Sequence, residues 1–142
     1  MTTSHARDVL AQPVRTDADV LDRVGAVISE EARRQRTLWL FFLDADGFQS
    51  DVVVPIDGIP EAPEPEDAGS VCYIISEALA GTADGSAIIT LGRPGPAEPG
   101  DGDLAWLRAL RRGAADHQAP VRMLCLATPS GVRELGPVSA GA

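Results

Sequence analysis

The chain has 142 residues, 44% of them hydrophobic, and its 12 basic and 21 acidic residues give a formal net charge of −9. This length and apolar content predict one globular domain and exclude a disordered chain. The acidity argues against nucleic acids and anionic membrane surfaces as partners, because both require a basic face. All basic residues are arginines, and lysine and asparagine are absent, which indicates the codon bias of a GC-rich bacterial genome.

The ends of the chain differ in composition from its middle. Residues 1–16 are polar and mixed in composition and predict a flexible tail. Residues 17–136 predict a single globular domain, and residues 137–142 predict a second flexible tail. No charged-then-apolar leader opens the chain, and no apolar run approaches the length that crosses a bilayer. We therefore expect a cytoplasmic protein. Cys72 and Cys125 lie within apolar runs and are expected to be core residues.

The first half of the domain predicts a helix followed by a hairpin. A capping box at Thr16 and Asp19 precedes apolar residues at helical spacing, which predicts a helix over residues 17–35. Arginines at its end suit the negative end of the helix dipole. The apolar run 38–43, the turn at residues 44–47 and the alternating run 48–55 predict an antiparallel hairpin.

The second half predicts two more helices and three more strands. Residues 57–67 are rich in Pro and Glu and predict an irregular surface segment. A second helix follows from about residue 67 to Gly81, and a third begins near Leu104. The remaining strands are predicted over residues 87–91, 121–127 and 132–135. The order α-β-β-α-β-α-β-β predicts an α/β (α+β) domain with a mixed central sheet of about five strands and three flanking helices.

The loop over residues 90–103 joins the third strand to the third helix, where α/β proteins usually place their chemistry. It consists mainly of glycine, proline and acidic residues and has no His, Cys, Ser or Lys. We therefore predict no catalytic residue, no metal site and no cofactor. The candidate ligand- or partner-binding residues are the charged residues of this loop and the tryptophan of the helix that follows, namely Arg93, Glu98, Asp101, Asp103 and Trp106. The alternative is a stiff loop in which Asp101 or Asp103 caps the third helix.

Other motifs have simpler interpretations. Residues 44–47 (DADG) open like a calcium loop, but a Val-rich strand follows instead of further oxygen ligands, so a hairpin turn is favoured. His5 and His117 do not form zinc-ligand spacing with the two cysteines. The acidic cluster at residues 61–67 is interpreted as a solvated segment, with partner binding as the alternative.

The layout of residues 18–135 carries a family resemblance. A strand ends in Leu43 and Asp44, a helix covers residues 71–80, and the strand containing Ile88 and Ile89 enters a loop that closes with PGDGD at residues 99–103. In this layout the chain resembles the JAB/MPN superfamily, in the branch that includes the bacterial RadC-like proteins. That family binds zinc through two histidines and an aspartate of the loop and uses a glutamate as general base.

The resemblance implies a member that has lost this chemistry. The histidine positions hold Thr90 and Gly92, the serine position holds Gly100, and the glutamate position holds Arg36. Asp103 alone remains, and one carboxylate does not hold zinc. The resemblance therefore implies an inactive JAB-like domain without metal or peptidase activity.

Together these observations predict a non-catalytic α/β domain that acts as a protein-binding or assembly module. Its partner is expected to be another protein or a second copy of the chain. Trp39 and Trp106 are possible interface anchors, but core packing is favoured for Trp39, while for Trp106 the two interpretations are equally open. A different hypothesis is a small-ligand-binding protein or an enzyme that uses the loop over residues 90–103.

Overall fold

The computed structural model describes residues 11–138 and arranges three helices, a short 3-10 turn and five strands in that range. His5 and most of the first predicted tail, and residues 139–142 of the second, lie outside the described residues. In the described range no helix has both the length and the apolarity to cross a membrane. The helices are α1 (Asp17–Val27), α2 (Asp67–Ala78) and α3 (Asp101–Asp116), the turn is Ala32–Arg34, and the strands are β1 (Thr37–Leu43), β2 (Gln49–Asp57), β3 (Ser86–Gly92), β4 (Val121–Thr128) and β5 (Gly131–Gly136).

The five strands form one mixed sheet in the order β2-β1-β3-β4-β5. β3 and β4 run parallel, and α3 is the crossover between them, since parallel neighbours cannot be joined by a tight turn. The other neighbouring pairs are antiparallel, including the β1–β2 hairpin. The predicted fold class, element order and hairpin are confirmed.

Helices cover both faces of the sheet and create two cores. α2 and α3 pack on one face against side chains such as Leu40 and Ile89. α1 packs on the other face against side chains such as Phe41 and Ile88. β1 and β3 are therefore buried on both faces, which explains why their sequences are continuously apolar rather than alternating.

The predicted end of the first helix was wrong. The sequence predicted a helix over residues 17–35, but α1 ends at Val27 and Ile28 adopts an extended conformation that places its side chain in the core. The Arg33 side chain then folds back, and its Nε and Nη2 donate to the carbonyls of Ile28 and Gly25 at 3.1 and 3.2 Å. An arginine therefore does bond carbonyl groups at the negative end of the helix dipole, but this arginine lies beyond the end of the helix and not in its last turn.

The segment before α1 contacts the hairpin turn. Val14 is buried, and its N–H donates to the Gly47 carbonyl at 2.7 Å. In the turn, the Asp44 carboxylate accepts hydrogen bonds from the N–H groups of Asp46 and Phe48 at 2.9 and 3.0 Å. Residues 44–47 are thus a hairpin turn closed by its own aspartate, as predicted, and the described residues before α1 pack against it.

Both cysteines are free and buried, as the sequence predicted. Cys72 belongs to the core under α2 and α3, and Cys125 to the core under α1. Burial raises the pKa of the Cys72 thiol to about 11 and that of Cys125 to about 12. Both side chains therefore remain neutral thiols at physiological pH and act as small apolar residues.

We predict that Gly47→Ala destabilises the fold more than Gly58→Ala does. Both glycines have positive φ, at 89° and 68°, so alanine introduces about 1–2 kcal/mol of backbone strain at either site. A methyl group at position 47 would also overlap the Val14 carbonyl, whereas nothing lies within 4 Å of one at position 58. Urea unfolding of the two variants measures the difference, and equal losses would contradict the contact between the turn and Val14.

Candidate functional site

The loop between β3 and α3 is short of hydrogen-bond donors. Three of its residues, Pro94, Pro96 and Pro99, have no N–H, while their carbonyls still require partners. The side chain of Arg93 supplies these donors. Its position directly after β3 directs a nearly buried guanidinium, only 8% exposed, into the middle of the loop.

Every N–H of the Arg93 guanidinium is used inside the protein. Nη1 donates to the carbonyls of Pro94 and Pro96, both at 2.9 Å, and Nη2 donates to the Glu98 carbonyl at 3.1 Å. Nε and Nη2 bind the Asp103 carboxylate at 2.7–3.0 Å. A guanidinium has five donors, and all five are satisfied by these contacts. Arg93 therefore holds the loop together and has no donor left for a ligand.

Asp103 connects this loop to the helix. Its Oδ2 accepts the Gly100 N–H at 2.8 Å, so it caps the first turn of α3, which decides between the two capping candidates in favour of Asp103. Burial acts to raise the pKa of Asp103, but the hydrogen bonds from Arg93 and Gly100 and the charge of Arg93 outweigh it and hold this pKa below its ordinary value. The carboxylate is ionised at neutral pH and fully engaged.

The five candidate residues have three different surroundings. Arg93 and Asp103 form the buried ion pair, while Glu98 and Asp101 lie exposed on the outside of the loop. Trp106 is 1% exposed and lies in the core, where its indole N–H donates to the Pro60 carbonyl at 3.1 Å. Trp106 is therefore packed in the core and is not exposed as an interface anchor in this structure.

The Pro/Glu-rich segment after β2 is irregular, as predicted, but it is anchored. Ile59 is buried, Pro60 accepts the Trp106 hydrogen bond, and the Glu61 backbone lies so close to Gly102 that a side chain there would clash. The carboxylates of Glu61 and Glu64 remain exposed to solvent. The segment therefore braces the first turn of α3 and presents its acidic groups outward.

A small cleft of about 240 Å³ lies on the surface of this loop. Arg36, partly exposed, lines it together with Asp103, Glu98 and Glu61, and the charge of Arg36 contributes to the lowered pKa of Asp103. In the sequence, Arg36 was noted as the residue at the position where the JAB-like layout places the glutamate, and not as a candidate binding residue. No local pattern indicated that it would lie near the loop, because nearly 70 residues separate it from Asp103.

The positions that correspond to the zinc site do not all come together. Arg36, Gly100 and Asp103 line the same cleft. Thr90 is fully buried and faces the α1 side of the sheet beside Cys125, and Gly92 lies against Trp39 on that same side. Asp103 lies in the first turn of α3, on the opposite face of the sheet. Within residues 11–138, no group of three or more His, Cys, Asp or Glu side chains is arranged to hold a metal ion.

A second surface feature was missed from the sequence. An apolar groove of about 470 Å³ lies between the hairpin and the C-terminal end of α2, with Phe42 and Leu79 among its lining residues. Phe48 and Val52 line it as well and are 41% and 58% exposed. The only available signal was the run of valines in β2, which equally fits a buried strand. The groove adjoins the open edge of the sheet, because β2 is the last strand in the order.

Comparison with known protein-family models, with curated proteins and with solved structures yields no match to this chain.

We predict that Asp103→Ala is far more destabilising than Asp17→Ala. Both carboxylates lie in the first turn of a helix and pair with an arginine, at 2.7 Å for Asp103 and 2.8 Å for Asp17. Asp103 is 3% exposed and Asp17 70%. Removing one member of a buried pair costs about 3–5 kcal/mol, whereas an exposed pair contributes about 0–1 kcal/mol. Chemical denaturation at pH 7 measures both losses.

The difference should also depend on pH. Because the folded pKa of Asp103 is lowered, its ion pair contributes fully above the unfolded pKa of about 4 and is lost as the pH falls through the folded value. The stability gap between wild type and Asp103→Ala should therefore be constant near neutral pH and narrow below about pH 4. A gap that stays unchanged down to pH 2, or equals that of Asp17→Ala, would contradict the assigned role of the pair.

Proposed function

We propose that the protein is a non-catalytic binding domain that engages a protein partner at the apolar groove beside β2. The observation that carries this proposal is the exposure of two large apolar side chains, Phe48 and Val52, on a groove whose lining is mostly apolar. Large apolar side chains grouped at a concave surface are typical of interaction sites.

The edge of the sheet indicates the form of the partner. Within residues 11–138, one side of the β2 backbone has no neighbouring strand, and such an edge binds an extended segment as an additional strand. Pro55 has no N–H to offer, so pairing is expected along residues 49–54. Asp51 is exposed on this strand. We therefore expect an extended partner segment with apolar side chains for the groove and a basic residue for Asp51.

The state of the β3–α3 loop supports binding over catalysis at that position. A catalytic group must be able to contact a substrate, but two of the four charged residues of the loop, Arg93 and Asp103, are buried and bonded to each other. The inactive JAB-like domain stays a proposal about the origin of this layout. It is supported by the common cleft of Arg36 and Asp103 and not by the positions of Thr90 and Gly92.

We predict that Val52→Asp and Phe48→Asp abolish partner binding while Tyr73→Asp does not. Tyr73 is the matched control, because it is 57% exposed on α2 and does not line the groove. Tagged wild type and variants are recovered from cells of the native host, and each co-purifying protein is then titrated against the purified domain. Circular dichroism verifies that the variants are folded.

Two results would contradict this proposal. One is a wild-type domain that binds no protein in the native host and stays monomeric by light scattering. The other is equal binding by the wild type and both groove variants. Self-association that is lost in Val52→Asp would instead identify the partner as a second copy of the chain.

The cleft at Arg36 favours a second function, in which the domain binds a small ligand at the loop over residues 90–103. Arg36 is the positively charged group of this cleft that the loop does not engage, since no ion pair involves it within the described range. Its positive charge beside Glu61 and Glu98 would suit a small ligand with both acidic and hydrogen-bonding groups.

We expect such a ligand to raise the melting temperature of the wild type and not that of Arg36→Ala. A thermal-shift screen with nucleotides, sugar phosphates and divalent metals tests this, because a ligand that binds only the folded state must stabilise it. Arg34→Ala, which removes an exposed arginine elsewhere, controls for the change in net charge. The absence of any shift, or an equal shift in Arg36→Ala, would reject this second function.

A further inference from the structure

Three arginines of α3 border a cleft at the opposite end of that helix from the loop. Arg108, Arg111 and Arg112 lie at positions i, i+3 and i+4, so their side chains emerge on the same side of the helix. They line a cleft of about 670 Å³ whose remaining surface is formed by small apolar side chains, including Ala114, Ala119 and Val138. The buried stripe of α3 faces the sheet, and this cleft lies at its margin, because Ala114 and Ala119 belong to the core while Arg108 and Arg112 are exposed.

Within residues 11–138, no ion pair compensates the positive charges of these three arginines. Like charges one helical turn apart destabilise a helix. The chain carries 21 acidic residues against 12 arginines, so acidic partners are abundant. Even so, in residues 11–138 neither Arg108 nor Arg112 forms an ion pair, although Asp116 follows Arg112 by one turn.

The third arginine is held in place by the backbone. The Nε of Arg111 donates to the Pro137 carbonyl at 2.5 Å, which fixes its guanidinium against the segment after β5. This contact uses one of the five donors of the guanidinium, and the Arg111 side chain lines the cleft together with Val138. One positioned and two solvated guanidinium groups therefore surround an apolar floor.

We propose that this cleft, called the arginine cleft below, binds a small organic anion that has a phosphate or carboxylate group on an apolar body. Guanidinium groups bind both kinds of anion through paired hydrogen bonds. The volume falls within the range of about 300–1,000 Å³ found for small-molecule sites, and the alanine and valine floor suits an apolar body. Three arginines on a chain of net charge −9 do not form the extended basic face that a nucleic acid requires.

The choice of arginine over lysine has no weight in this proposal, because the chain contains no lysine at any position. The supporting observations are the grouping of three charges, the absence of an ion pair to Arg108 or Arg112 within residues 11–138, and the apolar floor. The arginine cleft shares no lining residue with the groove beside β2 or with the cleft at Arg36. Its occupancy is therefore independent of the proposed protein partner.

The test is calorimetric titration of the full-length domain with four probes. These are 1-naphthyl phosphate, 1-naphthoate, the uncharged 1-naphthol and a tetraglutamate peptide. We expect one or both naphthyl anions to bind about tenfold or more tightly than 1-naphthol, which is the contribution of roughly one charge-assisted contact. The stronger of the two anions distinguishes a phosphate ester from a carboxylate.

Variants locate the binding. Arg108→Ala and Arg112→Ala should each weaken binding of the preferred anion about tenfold, because each removes a charged contact from a surface position that alanine suits in a helix. Arg34→Ala removes the same charge elsewhere and should leave the affinity unchanged. Unchanged melting temperatures verify that the variants are folded.

Three outcomes would overturn the proposal. The first is no binding of either naphthyl anion by the wild type. The second is an affinity that falls equally in Arg34→Ala and Arg112→Ala, which would indicate a general charge effect. The third is tighter binding of tetraglutamate than of both naphthyl anions, which would identify an acidic peptide as the ligand.

Discussion

The buried ion pair between Arg93 and Asp103 is the constraint on which the β3–α3 connection depends. A loop with three prolines offers carbonyl groups but few N–H groups, and one guanidinium supplies the missing donors at Pro94, Pro96 and Glu98. The same side chain binds the carboxylate that caps α3. The pair therefore determines where the strand ends, how the loop folds and where the helix begins.

This arrangement changes the functional meaning of the loop. In many α/β proteins the end of a strand presents polar groups to a substrate. Here Arg93 and Asp103 are directed inward, and Trp106 and Pro60 brace the same helix turn from the other side. The exposed chemistry lies elsewhere, at an apolar groove on the sheet edge and at a cluster of arginines on the outside of α3. Both surfaces are suited to binding.

Comparison of the sequence with the structure shows which patterns were informative. Continuous apolar runs correctly predicted β1 and β3, because a strand covered by helices on both faces has no solvent-exposed side. The end of α1 was predicted wrongly, because apolar spacing continued through Ile28 although that side chain enters the core from an extended backbone. Arg33 looked like a residue of the last helical turn, yet it binds the helix carbonyls from outside the helix.

The sequence by itself determined the class of the fold, the order of its elements and the absence of His, Cys, Ser and Lys from the loop over residues 90–103. These properties follow from composition and from the periodicity of apolar residues, which are local. Only the tertiary structure decided that Arg93 is a structural residue, that Arg36 lies beside Asp103 and that Phe48 and Val52 border an open groove. Those properties depend on which distant segments meet, and side-chain burial and hydrogen bonding are set by these contacts rather than by neighbouring residues in the chain.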